Sequence, residues 1–143
     1  MSNIAIRFFT EDISFSLKNK GLVRKWIKQT ISDESHKLRE LNFIFCSDQY
    51  LLSINQQFLN HDTYTDIITF DNSDKEGLII GDIFISVDRV QDNAESFKTE
   101  LEDELQRVMI HGTLHLLGYP DKGKEAKVIM TQKEDFYLSK RGF

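Results

Sequence analysis

The sequence predicts a single α+β domain over residues 1–143, a small, mostly four-stranded sheet packed on helices with one buried helix at its centre. Three observations carry this. Four short runs rich in β-branched and aromatic residues are interspersed with stretches whose apolar residues recur at helical spacing. The segment that holds Met109, Ile110, Leu114, Leu116 and Leu117 is apolar nearly all round, which marks a helix enclosed by other elements. A chain of 143 residues, 40% hydrophobic with one proline, is long enough for one core and leaves no long linker.

Residues 4–9 read as the first strand from their β-branched and aromatic content. A helix over about 18–31 follows, with Leu22, Val23, Trp26, Ile27 and Thr30 on one face, so Trp26 belongs to the core. Residues 32–36 form a turn that leaves His36 in solvent. Leu41, Phe43, Ile44 and Phe45 place a second strand at 38–46, buried on both faces toward its end. Cys46, the single cysteine, excludes an internal disulfide, suits a reducing cytoplasm and reads as a buried structural thiol. Ser47 or Asp48 caps a helix that runs to about Phe58 and is broken by Asn60-His61-Asp62. Strands at 65–70 and 78–86 flank a charged loop at 71–77 that is expected beside the site, where it would be available to substrate. Ser86 or Asp88 opens a polar helix to about Phe97. Thr99 and Glu102 have the spacing of a capping box and start the central helix, and an amphipathic helix over about 125–138 closes the chain.

The N-terminal region has no apolar run long enough for a signal peptide or a membrane span. Eighteen basic against 23 acidic residues give a net charge of −5, unusual for a nucleic-acid partner because phosphate binding draws on Lys and Arg. The bases gather at the two ends, in residues 1–28 and 122–143, while the acids concentrate between Asp62 and Glu104. Brought together, those ends would form a phosphate-guiding rim around an acidic centre; apart, they are ordinary solvated surface.

The chemistry is densest from His111 to Asp121. His111 and His115 stand four apart, which on a helix puts both imidazoles on one face within reach of a single ion. Gly118 ends the helix where a left-handed residue is favoured, Pro120 prevents its resumption, and the turn brings Asp121 toward the same ion. Two core histidines could share the spacing by coincidence, but Gly118 and Asp121 add to it what coincidence does not require. Two imidazoles and a carboxylate are the ligand set of a catalytic zinc whose fourth position stays open to water, so hydrolysis is the expected reaction class. The spacing also matches that of metzincin proteases, but Gly112 stands where their general-base glutamate would be.

Residues His111 to Tyr119 resemble, at every fixed position, the signature His-Gly-x-Leu-His-Leu-x-Gly-Tyr of the YbeY-type rRNA maturation factors, bacterial single-strand-specific metal-dependent endoribonucleases. Upstream, Asn55-Gln-Gln-Phe58, Thr65-Asp-Ile-Ile-Thr-Phe70 and Ile80-Gly-Asp-Ile-Phe-Ile-Ser86 resemble further blocks of that family in the right order. The resemblance implies a zincin-like arrangement around the central helix, with one zinc ion held by His111, His115 and Asp121. It also implies action on single-stranded or ribosomal RNA, in maturation of the 16S rRNA 3′ end and in ribosome quality control. The small ribosomal subunit would be a partner in the cytoplasm, with no DNA or membrane partner.

Two departures stand out. The family usually has histidine as third ligand, where this chain has Asp121 after Pro120; the more anionic set favours a harder metal. Leu59 stands where the family commonly has an arginine suited to paired hydrogen bonds with phosphate. Asp66 and Asp82 are candidate catalytic residues for orienting ligands or relaying a proton, although strand-end aspartates equally form turns and caps. Thr65 and Ser86 are lesser candidates. Two other readings remain open at this point, a non-catalytic ribosome-assembly factor stabilised by zinc and a metallopeptidase.

Overall fold

Strand β4 (Leu78–Ser86) is the spine of the sheet, and its period-two alternation decides what each face meets. Ile79, Gly81, Ile83 and Ile85 are buried on one side, while Ile80, Asp82 and Phe84 point to the other. The computed structural model describes residues 4–143. Before β4 come β1 (Ile6–Thr10), α1 (Lys20–Asp33), β2 (Lys37–Cys46), α2 (Asp48–Leu59) and β3 (Ile67–Asp71); after it come α3 (Val87–Phe97), α4 (Leu101–Leu116) and α5 (Lys124–Leu138). The sheet order is β1-β2-β4-β3. β1 and β4 run parallel to β2, and β3 returns antiparallel to β4 as an edge strand, with Ile67 opposite Ile85 and Thr69 opposite Ile83.

Helix α4 lies against the Gly81/Ile83 face and also touches α1, α3 and α5. Leu105, Val108, Met109, Ile110 and Leu114 are all nearly or fully buried, as a helix apolar on most sides requires. The opposite face is covered by α2, where Leu51 and Ile54 pack with Cys46, Ile68, Phe70 and Phe84. Trp26 is 4% exposed in the core, its indole donating to the Tyr137 carbonyl at 2.7 Å. Cys46 is fully buried, and burial together with Asp12, Asp88 and Asp48 pushes its thiol up to about 12, which removes it as a nucleophile.

Ser47 and Ser86 cap α2 and α3, accepting from the Tyr50 and Arg89 amides. The capping box expected for the central helix is a correction. Glu100, not Thr99, occupies the N-cap of α4, with no side-chain cap bond. Lys98 turns left-handed at φ 55° to end α3, and the Thr99 amide is spent on the Ala94 carbonyl at 2.9 Å, so Thr99 belongs to the preceding helix. The 71–77 loop is a second correction, since none of its residues lines the cleft described below. Asn72 and Asp74 instead border a groove with Arg39, Glu40 and Ile80.

Gly112 permits α4 to sit this close to the sheet. A Cβ there would come within 2.7 Å of Ile67 Cδ1 and 3.1 Å of Ile83 Cγ2. The position that lacks the protease glutamate is therefore one where any side chain would force the ends of Ile67 and Ile83 to shift. Gly112→Val should destabilise the fold by about 1–3 kcal/mol through overpacking, since valine's slight helix-propensity gain over glycine does not offset it. The check is a lowered urea midpoint at unchanged slope; an unchanged midpoint would show that the contact has slack.

Candidate metal centre

The site forms where α4 runs out. The Gly118 amide donates to the His115 carbonyl and the Tyr119 amide to that of Leu114, each at 3.0 Å, with Gly118 at φ 104°. This Schellman motif reverses the chain and carries Asp121 back over the histidines. His115 Nε2 lies 3.0 Å and His111 Nε2 3.4 Å from Asp121 Oδ2, and one ligand atom from each of the three residues falls within 4.8 Å of the others. Tetrahedral bonds of about 2.0–2.2 Å put ligand atoms about 3.3–3.6 Å apart, so the three converge closely enough for one ion after small adjustments. All three are half-buried at the wall of a cleft of about 360 Å³ between the β3 edge and helices α4 and α5.

His111 Nδ1 donates to Glu134 Oε2 at 2.6 Å, which turns its Nε2 lone pair toward Asp121. Glu134, on α5 and 7% exposed, also accepts from Arg107 Nη1 at 2.8 Å, while Arg107 Nη2 donates to Asp135 at 2.6 Å. Burial alone would push the His111 imidazole down. The Glu134 hydrogen bond and charge, with Asp121 and Asp66, outweigh it and hold the pKa above its ordinary value. Asp121 moves oppositely: burial would raise it, but the two histidines keep its carboxyl below the usual range.

Of the catalytic candidates, Asp66 lines the cleft, just before β3, and its carboxyl is raised by burial more than His111 lowers it. Thr65 lines it too. Asp82 does not. It sits on the β4 face turned away from α4 and accepts from Asn42 and Asn72 at 3.0 and 3.3 Å, a correction that follows from its register beside Gly81. Ser86 is likewise structural, bonded to Asp48 at 2.7 Å while capping α3. Leu59, at the end of α2, is 42% exposed and outside the cleft lining. The two basic ends do meet, through Trp26 and Tyr137, in a groove that shares no residue with the metal cleft.

Three cleft residues escaped the sequence reading. Glu104 and Arg107 precede His111 by seven and four positions, so the stripe that pairs the histidines already contained them. Burial raises the Glu104 carboxyl, with Arg107 opposing. Glu134 lies 23 residues from its partner His111, and no local pattern announces it.

Residues 5–142 match the family described as Endoribonuclease YbeY. The chain belongs to the YbeY endoribonuclease family. A relative from Cytophaga hutchinsonii named Endoribonuclease YbeY is 51% identical over 143 residues, the whole of both chains. One of the same name from Karelsulcia muelleri is also 51% identical, over 89% of each chain. The solution structure of TM1509 from Thermotoga maritima superposes with a TM-score of 0.67 at 29% identity, covering 95% of this chain and 88% of that one. The YbeY signature thus falls on the α4 exit, and Asn55 of the upstream block has a structural task. It is 4% exposed and donates to the Thr63 carbonyl at 2.8 Å, bracing the segment that delivers Thr65 and Asp66 to the cleft.

An ion at this site competes with the proton on His111, whose raised pKa favours the protonated form. Apparent metal affinity should therefore weaken as pH falls from about 8 to about 6, measured by chelator competition. At fixed pH, Glu134→Gln should weaken it about 10–100-fold by releasing the imidazole. Unchanged affinity in that variant would remove Glu134 from the site.

Proposed function

We propose that this protein is a metal-dependent endoribonuclease that cuts single-stranded RNA in the cytoplasm during ribosomal RNA maturation, with one zinc ion held by His111, His115 and Asp121. The observation that carries the reading is the convergence of these three side chains on an open cleft in a chain of the YbeY family. Maturation of the 16S rRNA 3′ end, ribosome quality control and contact with the small ribosomal subunit are the finer parts of the proposal. No helix among the described residues is long and apolar enough to cross a membrane.

A bound zinc ion supplies Lewis-acid polarisation of a phosphoryl oxygen and acidifies a coordinated water. The chain's own residues do the rest. Glu134 holds the His111 ring in one orientation, and Arg107 holds Glu134. Asp66, with its carboxyl raised by burial, takes the proton from the attacking hydroxyl and returns it to the departing oxygen. Arg107, the one Lys or Arg side chain lining the cleft among the described residues, has its terminal nitrogens bonded to Glu134 and Asp135, so it does not stand in for the family arginine whose place Leu59 takes. The attacking hydroxyl is water or the ribose 2′-hydroxyl, and the two leave different product termini.

A non-catalytic assembly factor is the second reading, favoured by the net charge of −5 and by Leu59. The test is cleavage of single-stranded against double-stranded RNA by zinc-loaded protein. Single-strand cleavage is expected, with kcat about 10²–10⁴-fold lower in Asp66→Asn while zinc content is retained. A folded, zinc-loaded wild type that never cuts RNA would favour the assembly factor; turnover of unstructured peptides instead would favour a peptidase despite Gly112.

A further inference from the structure

Asp121 needs support from outside the site. Its side-chain ion-pair contacts are to His111 and His115, the groups with which it would share an ion, so they cannot by themselves hold it in place for that ion. Among the described residues, no backbone hydrogen bond outside the regular helices and strands engages positions 120–122. The last fixed point before the ligand is Tyr119, two residues upstream, with Pro120 between them as a stiff link.

Tyr119 is fixed at both ends. Its amide closes the Schellman motif on Leu114, and its hydroxyl donates to Glu34 Oε1 at 2.7 Å, 85 residues away in sequence. Glu34 is the C-cap of α1, and its side chain is 14% exposed. Its other oxygen accepts from the Tyr137 hydroxyl and from Lys133 Nζ, both on α5. The Lys133 ammonium also sits 5.4 Å from the centre of the Tyr119 ring. One carboxylate oxygen therefore grips the ligand loop, while the other grips the helix that carries Glu134, the partner of His111.

We propose that Glu34 is a positioning residue for the metal centre, pinning Tyr119, and through it Asp121, in register with the histidine pair that α4 and α5 set. The inference rests on the metal-ligand reading above. A carboxylate suits the task because it accepts from three donors at once without donating. The hydrogen bonds of Tyr119, Tyr137 and Lys133 keep it ionised against the effect of burial. A phenylalanine at this position would keep the ring and lose the bond to Glu34 at the end of α1. Losing this link widens the positions open to Asp121 in the free protein, so part of the binding energy is diverted to ordering the loop.

The test is the zinc dissociation constant, by competition with a chromophoric chelator, together with melting of metal-free and zinc-loaded protein. Tyr119→Phe and Glu34→Ala are expected to weaken zinc binding about ten-fold, as loss of an outer-shell partner does, and to shrink the zinc-induced rise in melting temperature. Tyr137→Phe leaves the bond between Tyr119 and Glu34 in place, and is expected to lower the melting temperature of the metal-free protein with a smaller change in zinc affinity. A merely structural Glu34 gives the opposite pattern: lower melting temperatures throughout, with wild-type zinc affinity in both Tyr119→Phe and Glu34→Ala. That result overturns the inference and leaves the metal site standing. Should Glu34→Ala fail to fold, Tyr119→Phe alone decides. A wild type that takes up no zinc overturns the metal site and this inference with it.

Discussion

The close seating of α4 on the sheet is the constraint on which the rest depends. With no side chain at Gly112, the helix approaches Ile67 and Ile83, and its far end reaches the edge of the sheet with two imidazoles facing outward. β3 is that edge, so the cleft lies between the sheet edge, α4 and α5. A helix a few tenths of an ångström further out would shift the histidines relative to Asp66, which the start of β3 fixes. Close packing at this glycine thus contributes to the geometry of the chemistry.

Charge is layered around that geometry. Asp121 faces the ring nitrogens that would bind an ion, Glu134 stands behind His111, and Arg107 stands behind Glu134. Each buried charge meets an opposite one, which is how such groups persist away from water. Asp66 and Glu104 are the exceptions. Burial raises both carboxyls beyond what His111 and Arg107 offset, and such perturbed acids in a cleft are where proton transfer is expected. This arrangement also accounts for a nuclease of net charge −5: the acids that attract the cation repel RNA, and the cation must reverse the local field.

Much of this was legible in the sequence wherever a residue acts on its neighbours. Ser47-Asp48 and the Ser86 to Asp88 stretch announce helix starts, with the serines proving to be the caps, Gly118 announces the left-handed exit, and the four-residue histidine spacing announces a shared face. The failures share a cause, which is that a competing partner lay beyond the local pattern. Thr99 has capping spacing, but its amide is taken by the helix before it. Asp82 sits beside the right glycine, yet period-two alternation turns it to the wrong face, and only the docking of α4 says which face matters. Glu134 and Glu34 act across 23 and 85 residues, and their roles exist only once α5 and α1 are in place. The basic ends meet as sequence allowed, but in a groove separate from the metal cleft.

Metal analysis of freshly purified protein, set beside the Asp121→Ala variant, tests the central claim most directly. About one zinc ion per chain in the wild type and almost none in a variant that still folds is the result expected of a three-ligand site. Equal metal content in the two proteins, or none in either, would contradict it.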